Sequence, residues 1–306
     1  EQALRHAADL VRVGLAGTLR DYAFTAADGV RKPASQVDYK GQPAGYASQP
    51  DEVVNYVENH DNQTLFDLNA YKLPRDTSRE DRARVQVLAL ATTAFSQGVA
   101  YWHAGVEVLR SKSLDRNSFD SGDWFNRLDW TYTTNHFGTG LPPASDNRAN
   151  WDLMRPLLRD ASIAPSPREI AFTRDAFHDL LRIRASTPLF RLRTADDVQR
   201  RLTFPNSGAA QNPAVVVGHL DGEGLDGAGF AQVLYAINVA PSAQALVLPS
   251  IQGRLGGRRL NGGFEFSTQA LQFQTDETGR TLEDSFGCRH SSEKLLGRSR
   301  LQRKLH

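Results

Sequence analysis

The segment Val54 to Leu68, which reads VNYVENHDNQTLFDL, contains the polar residues best suited to chemistry. His60, Asp61 and Asn62 follow a short apolar run with no glycine or proline between them. In one interpretation they face a pocket, where ionised Asp61 accepts and His60 donates hydrogen bonds to the hydroxyls of a substrate. In the other, Asp61 caps the next element and His60 is an ordinary surface residue. Polar residues are common at strand ends, so the residue types alone leave both interpretations open.

Two further segments carry candidate functional groups. HAGVE, from His103 to Glu107, follows a second apolar run, and both side chains there could equally be hydrogen-bonded core residues. Residues 111–164 are expected to form a long polar loop, and loops of that length are usually functional or disordered. The aromatic residues in this loop argue against disorder and could either stack on sugar rings or pin the loop: Trp124, Phe125, Trp130, Tyr132 and Phe137.

The elements that would position these groups follow an α/β pattern. Residues 53–57 and the run VAYWHAGVEVL are predicted strands, separated by a helix that begins after Ser78 with a capping motif and ends before Gly98. Its apolar face is predicted to contain Val85, Leu88, Ala91 and Phe95. Active sites of parallel α/β folds lie at the carboxyl ends of strands, where the candidate residues also fall.

The remaining segments are assigned from local pattern. Residues 2–12 and 167–184 have helical spacing, and residues 20–50 are expected to form a surface loop because they are rich in glycine, proline and aspartate. VVVGHL and AQVLYAINVAPSAQALVLP are strand-like without helices between them, which predicts a small antiparallel domain. The basic end, CRHSSEKLLGRSRLQRKLH, is interpreted as a divergent tail rather than a nucleic-acid-binding arm, because it lacks aromatic residues for base stacking.

Composition narrows the range of functions. The chain has 306 residues, 40% hydrophobic and 23% charged, which is typical of a soluble globular protein. A formal net charge of +1 gives no reason to expect a nucleic-acid partner, and no apolar run of about 18 residues predicts a membrane span. With a single cysteine, Cys288, neither an internal disulfide nor a cysteine-based metal cluster is expected.

Several of these segments, taken in order, resemble a known enzyme family. VNYVENHDNQTLFD, SQGVAYWHAGVEVLRSKSLDRNSFDSGDWFNRLDW, GLPPASDNRANWDL and LLRIRASTPLFRLRTADDVQRRLTFPNSG look like pullulanase and limit-dextrinase type α-1,6-glucan debranching enzymes of the α-amylase family. The likeness covers residues 11–240 and implies retaining hydrolysis of α-1,6 linkages in pullulan, limit dextrins, starch or glycogen on a (β/α)8 barrel. The implied partner is an α-glucan polysaccharide or oligosaccharide.

The resemblance also assigns roles to individual residues. Asp61 matches the aspartate that stabilises the transition state, and His60 matches a histidine that touches the sugar in the cleaved subsite. Asn62 fits the debranching form of the motif, and Arg116 matches a loop residue near the substrate groove. Val106 and Trp102 depart locally from the family pattern.

The family's nucleophile and general acid/base match no stretch of this sequence. A retaining glycosidase needs both, about 5 Å apart. The substitutes considered within the chain, none with a reason to lie opposite Asp61, are Glu58, Glu107, Asp115 and Asp120. The chain is therefore expected to be a C-terminal fragment that is inactive alone. The alternative is a non-catalytic glucan-binding or complementing module.

The expected organisation has three parts. Residues 1–187 form a partial barrel with its last two strands and their helices, residues 188–253 form a small, incomplete antiparallel β domain, and residues 254–306 form the tail. No cofactor or metal is expected in this chain, although calcium could bind elsewhere in a longer parent. The sequence predicts a soluble protein but does not distinguish a cytoplasmic, plastid or secreted parent.

Overall fold

The computed structural model of the chain describes residues 1–246 and residue 248. Residues Glu1–Leu246 lie in one compact unit. Its elements, in chain order, are α1 (Gln2–Leu15), β1 (Ala23–Thr25), β2 (Arg31–Pro33), β3 (Asp38–Tyr39), β4 (Gln42–Pro43), β5 (Val54–Asn55), α2 (Leu65–Lys72), α3 (Arg79–Phe95), β6 (Val99–Ala100), α4 (Asp123–Asn126), α5 (Ala144–Asn147), α6 (Trp151–Leu158), α7 (Pro167–Ala185), α8 (Ala195–Arg201), β7 (Leu202–Thr203), β8 (Val215–Asp221) and β9 (Gln232–Asn238).

Strands β5 and β6 form a parallel pair that positions the candidate site. Val54 is opposite Val99 and Asn55 is opposite Ala100, with α2 and α3 between the two strands in sequence. Parallel strands require such a crossover, and their carboxyl ends point to the same edge. The two predicted strands are thus observed, although each is only two residues long. The segments that follow them, residues 56–64 and 101–117, share one edge.

Helix α3 begins and ends where local chemistry predicts. The Ser78 hydroxyl accepts from the Asp81 backbone N–H at 3.0 Å and donates to the Asp81 carboxylate at 2.8 Å. The predicted apolar face is only partly right, because Ala91 and Phe95 are buried whereas Val85 and Leu88 are half-buried. The most deeply buried apolar residues of the helix, Ala83, Leu90 and Ala94, lie on a neighbouring face.

Arg184 on α7 anchors the carboxyl end of α3. Its guanidinium donates to the carbonyl oxygens of Ala94, Ser96 and Gly98 at 2.9, 2.7 and 2.8 Å. Burial, with a smaller contribution from the charge of Arg191, lowers the pKa of Arg184 to about 10, so it remains a cation at neutral pH. These bonds satisfy carbonyls that a helix end leaves without partners.

Gly98 allows the chain to pass from α3 into β6. Its φ is +91°, and a Cβ at this position would lie 2.9 Å from the Pro50 carbonyl oxygen. Any other residue would therefore be strained and would press on the segment that leads into β5. Glycine at this position therefore allows the two backbones to approach closely enough for β5 and β6 to pair.

The C-terminal part of the described chain is antiparallel, as the strand-like runs without helices between them predicted. β8 and β9 pair over seven residues each, from Val215 opposite Asn238 to Asp221 opposite Gln232, and β7 joins the other edge of β8. The predicted boundaries at residues 187/188 and 253/254 stay predictions. The proposed tail, residues 254–306, lies outside the described residues.

The two expected loops contain more structure than predicted. Residues 20–50 form two short hairpins, β1–β2 and β3–β4, rather than a surface loop. Two aromatic residues of this segment, Tyr22 and Phe24, enter the core: Tyr22 is 3% exposed and donates from its hydroxyl to the Leu202 carbonyl at 2.9 Å. Residues 111–164 include α4, α5 and α6, the last of which buries Met154 and Leu157. In both segments, packing of a few apolar residues into the core stabilises local structure that the polar, glycine-rich composition did not predict.

Within the described part of the chain, no helix has the combined length and apolar character needed to cross a bilayer.

The α3–α7 interface predicts a specific stability effect. Leu90 and Leu180 are fully buried in the same cluster, so Leu90→Ala should lower the free energy of unfolding by about 2 to 5 kcal/mol, because a cavity remains. Leu153→Ala on α6, where the side chain is 55% exposed, serves as the control and should cost far less. Equal urea midpoints for the two variants would contradict the observed packing.

Candidate functional site

A cleft of about 110 Å³ lies beyond the ends of β5 and β6. Three segments contribute to it: the loop after β5, the loop after β6 and the start of the aromatic loop. The lining combines hydrogen-bonding groups with one aromatic ring, a composition suited to a polyhydroxylated ligand. The lining residues are His60, Asp61, His103, Arg110, Lys112, Asn117, Ser118, Phe119 and Asn126.

His60 and Asp61 lie together in this cleft, with side chains 79% and 68% exposed. The His60 Nε2 atom is 3.7 Å from an Asp61 carboxylate oxygen, a separation too long for a strong hydrogen bond. Asp61 donates its backbone N–H to the Asn59 side chain at 2.8 Å, and the His60 carbonyl accepts from the Lys112 ammonium at 3.0 Å. The backbone is therefore held while both side chains face solvent.

Asn62 and Arg116 are placed differently. Asn62 has a left-handed backbone with φ of +61° and is exposed, but its side chain is not among those that line the cleft. Arg116 is exposed, and its backbone N–H donates to the Asn147 side chain at 3.0 Å. The structure brings His60 and Asp61 together and leaves Asn62 and Arg116 outside the lining.

Glu58 and His103 connect the two strand-end loops. Glu58 is 5% exposed, and one of its carboxylate oxygens lies 2.8 Å from His103 Nδ1. Its other oxygen accepts from the Leu65 backbone N–H. His103 Nε2 lies 3.1 Å from an Arg110 guanidinium nitrogen, so the histidine bridges an acid and a base at the cleft wall.

A second buried carboxylate supports the cleft from behind. Asp67 is fully buried and accepts from the Ser111 hydroxyl at 2.6 Å and from the Lys112 backbone N–H at 2.8 Å. Burial raises the pKa of Asp67 to about 6, and these hydrogen bonds only partly oppose the increase. Burial also lowers the pKa of the Lys112 ammonium, against the opposing charges of Asp67 and Asp115.

Several aromatic side chains of the loop that begins at Ser111 lie on the surface, and one of them lines the cleft. Phe119, which lines the cleft, is 82% exposed, and Trp124 and Trp130 are 54% and 57% exposed. The Arg127 guanidinium stacks 4.1 Å from the centre of the Trp124 ring. Exposed rings of this kind present an apolar face on which a ligand can stack.

In the part of the chain that the structure describes, no cluster of three or more histidine, cysteine, aspartate and glutamate residues is arranged to hold a metal ion.

Sequence reasoning did not identify Arg110, Lys112 or Phe119 as lining residues. Arg110 and Lys112 sit in VLRSK, where the polar pattern is that of any surface loop, and Phe119 was not distinguished from the other aromatics. The detectable signal was their position, directly after the second predicted strand. His103 and Glu107 were each expected to be either functional or core residues, and the structure gives them different environments. His103 lines the cleft, whereas Glu107 lies outside the lining and accepts from the Gly105 backbone N–H at 3.0 Å.

Fold and cleft together define a protein with an α/β portion whose strand-end cleft combines hydroxyl-binding groups with exposed rings. Comparison with known families gives this class a name. Residues 132–260 match the family described as the C-terminal region of pullulanase-type α-1,6-glucosidases. Similar curated proteins include chloroplastic pullulanase 1 of Arabidopsis thaliana, 42% identical over 83% of this chain and 27% of that protein, and a pullulanase of Klebsiella aerogenes, 42% identical over 71% and 20%.

Solved structures agree with this assignment. A Klebsiella pneumoniae pullulanase complexed with maltotriose aligns with a TM-score of 0.73 and 41% identity, covering 78% of this chain and 23% of that one. Bacillus acidopullulyticus pullulanase aligns with a TM-score of 0.53 and 26% identity. The resemblance is confirmed: the chain is homologous to pullulanase-type α-1,6-glucosidases. It spans about a quarter of the length of the chloroplastic relative.

The buried Asp67 carboxyl predicts a pH dependence of stability. Its pKa is raised to about 6 in the folded chain from an ordinary value of 3.8, so the folded state binds the proton more tightly. The resulting stabilisation is complete below about pH 4 and is lost as the pH rises through about 6, by roughly 1.4 kcal/mol per pH unit between those values.

Asp67→Asn cannot titrate, so the unfolding free energy of the unaltered chain minus that of this variant should fall between pH 4 and 6. Asp152→Asn is the control, because that side chain is fully exposed on α6. Urea unfolding at several pH values measures both differences. A difference for Asp67→Asn that rises over this window would contradict the assigned direction.

Proposed function

We propose that this chain is part of a retaining α-1,6-glucan debranching enzyme and forms one side of its substrate cleft. Homology to pullulanase-type α-1,6-glucosidases supports the reaction class. The observation that carries the proposal is the exposed Asp61 carboxylate in a cleft with His60 and Phe119. In this proposal Asp61 stabilises the positive charge that develops on the sugar in the transition state, and His60 donates to a sugar hydroxyl.

The same proposal assigns the nucleophile and the general acid/base to residues outside this chain. Asp61 is the only carboxylate among the described residues that line the cleft. Glu58 is directed to His103 and Leu65, and Asp115 is buried against Asn117 and Asn147. A covalent glycosyl intermediate requires two carboxyl groups about 5 Å apart across the scissile bond.

We further propose that β5 and β6 are two strands of a (β/α)8 barrel. The parallel pairing with a helical crossover supports this assignment, as does the exposure of apolar side chains on and beside the pair. Val54, Tyr56, Val99 and Tyr101 are 53%, 50%, 48% and 39% exposed, and the two tyrosine rings contact edge to face. Strands of a parallel sheet are normally covered on both faces.

The alternative function is a non-catalytic glucan-binding or complementing module. The single lining carboxylate favours this alternative for the chain on its own, since binding needs only hydroxyl-binding groups and a stacking ring. An α-glucan oligosaccharide is the proposed ligand in both cases, supported by the maltotriose complex of the homologous Klebsiella pneumoniae pullulanase. Asn62 and Arg116 are retained as proposed binding residues at the margin of the cleft.

Asp61→Asn tests the central assignment. The chain should bind maltotriose saturably in calorimetry, and the variant should bind about tenfold more weakly because the amide loses a charged acceptor. Asp152→Asn, which removes an exposed carboxylate on α6, should leave binding unchanged. Equal affinities for the Asp61 variant and the unaltered chain would contradict the assigned role.

A pullulan hydrolysis assay on the purified chain tests whether the chain holds a complete catalytic site. We expect no release of maltotriose above the uncatalysed background, because the chain presents one lining carboxylate. Release of maltotriose that depends on Asp61 would show instead that a second carboxylate of this chain completes the site. Saturable binding without turnover would agree with both the fragment and the module.

Phe119 provides a separate test of sugar binding. Its exposed ring in the cleft should stack on the apolar face of a glucose unit, so Phe119→Ala should weaken maltotriose binding by about fivefold to tenfold. Phe119→Trp should retain binding. Phe230→Ala, which truncates a ring that is 49% exposed and absent from the cleft lining, is the matched control. Similar losses in Phe119→Ala and Phe230→Ala would contradict a stacking role.

A further inference from the structure

A continuous set of hydrogen bonds joins the loop after β5 to the wall of the cleft. The Leu65 backbone N–H donates to Glu58, Glu58 lies 2.8 Å from His103 Nδ1, and His103 Nε2 lies 3.1 Å from Arg110 Nη1. The Glu58 and His103 side chains are only 1% and 11% exposed. Residues that are 45 positions apart in the chain are thus fixed against one another, with the last member of the set facing the cleft.

The partners of His103 determine where its proton resides. A guanidinium donates hydrogen bonds and cannot accept them, so His103 Nε2 must be the acceptor in its contact with Arg110. A neutral imidazole carries one proton, which is then on Nδ1 and points to the Glu58 carboxylate. His103 is therefore a neutral ring in a single tautomer, because the Glu58 carboxylate accepts the Nδ1 proton and Arg110 donates to Nε2.

Arg110 is left with one donor for a ligand. Its Nη1 atom donates to His103 and to the Ala104 carbonyl at 3.0 Å, and its Nη2 atom donates to the Asn126 carbonyl at 3.2 Å. Nε is buried with no partner among the described residues. The second Nη2 N–H has no acceptor in the described part of the chain, and Arg110 lines the same cleft as Asp61.

We infer that Arg110 is a further glucan-binding residue and that Glu58 and His103 position it. This inference rests on the proposed function, because it takes the ligand to be an α-glucan. The free Nη2 N–H donates to a sugar hydroxyl. The hydrogen bonds from Glu58 through His103 to Arg110, here called the relay, hold the guanidinium in place, so little side-chain entropy is lost on binding. Glu58 and His103 are positioning residues: Glu58 is buried, and both ring nitrogens of His103 are occupied by Glu58 and Arg110, so neither residue offers a hydrogen bond to the ligand. Lysine at position 110 would lack the planar fork that reaches three acceptors at once.

The tautomer can be tested without any ligand. In long-range ¹H–¹⁵N spectra of the ¹⁵N-labelled chain at pH 7, the imidazole assigned by its loss in His103→Gln should be neutral with its proton on Nδ1. Arg110→Gln leaves the Glu58 carboxylate facing Nδ1, so the proton should stay on Nδ1 in this variant. An Nε2-protonated ring or an imidazolium in the unaltered chain would overturn the relay.

Binding of maltotriose tests the role of Arg110. Arg110→Gln should weaken binding about tenfold, and His103→Ala should do the same because the guanidinium is released. His103→Gln should recover most of the affinity, since its amide N–H can donate to Glu58 while its oxygen accepts from Arg110. Arg84→Gln, on the exposed face of α3, is the control and should bind as the unaltered chain does.

The spectra test the relay, and the binding measurements test the role of Arg110, so the two experiments can give separate negative results. If the unaltered chain does not bind maltotriose, the proposed function and the part of Arg110 in it are overturned, whereas the spectra still decide the relay. If binding occurs and Arg110→Gln matches the control, Arg110 is not a glucan-binding residue. If His103→Gln is as weak as His103→Ala although both variants unfold at the same urea concentration as the unaltered chain, the relay does not position Arg110.

Discussion

The parallel pairing of β5 with β6 is the constraint on which the candidate site depends. The Val99 and Tyr101 backbone N–H groups donate to the Val53 and Asn55 carbonyls at 2.9 Å. These bonds bring the carboxyl ends of both strands to one edge. His60 and Asp61 follow the first strand, and His103 and Arg110 follow the second. The two loops are about 45 residues apart in sequence, and the strand pairing brings them together in space. Gly98 makes the pairing sterically feasible because its backbone approaches the Pro50 carbonyl.

Buried charge is a second organising feature of the cleft. Glu58, Asp67 and Lys112 are each almost completely buried behind the solvent-facing pair of His60 and Asp61. Burying a charge is unfavourable unless hydrogen bonds compensate, and both carboxylates accept bonds from a backbone N–H and a side chain. The ammonium of Lys112 reaches the His60 carbonyl. Buried, hydrogen-bonded groups behind solvent-facing ones are the arrangement expected of a preorganised binding surface.

The elements with strong local signals were predictable from the sequence. Ser78 caps α3 at the expected position, and α7 occupies the predicted helix of residues 167–184. The strand-like runs without helices between them gave the antiparallel strands β8 and β9. His60 and Asp61 were identified from their position after a strand. Helix α6 and the hairpins within residues 20–50 were missed, because polar, glycine-rich composition concealed buried residues such as Tyr22.

The positions of Arg110 and Lys112 could not be predicted for a different reason. The loop that carries them contains Leu109, Ser113 and Leu114 with φ of +61°, +52° and +69°. Non-glycine residues rarely adopt the left-handed region, so local propensity predicts a different path for this segment. Contacts from distant parts of the chain, such as the Asp67 carboxylate with Ser111, impose the observed path. Sequence patterns describe the strand ends, and tertiary contacts determine which side chains reach the cleft.

The bonds from Arg184 to the end of α3 should depend little on ionic strength. Its three acceptors are carbonyl dipoles rather than carboxylates, and the bonds lie largely inside the protein. Dissolved ions screen exposed pairs such as Arg84 with Glu80 but penetrate poorly to buried contacts. The passage from α3 into β6, and with it the cleft, should therefore tolerate concentrated electrolyte that weakens the surface pairs around it.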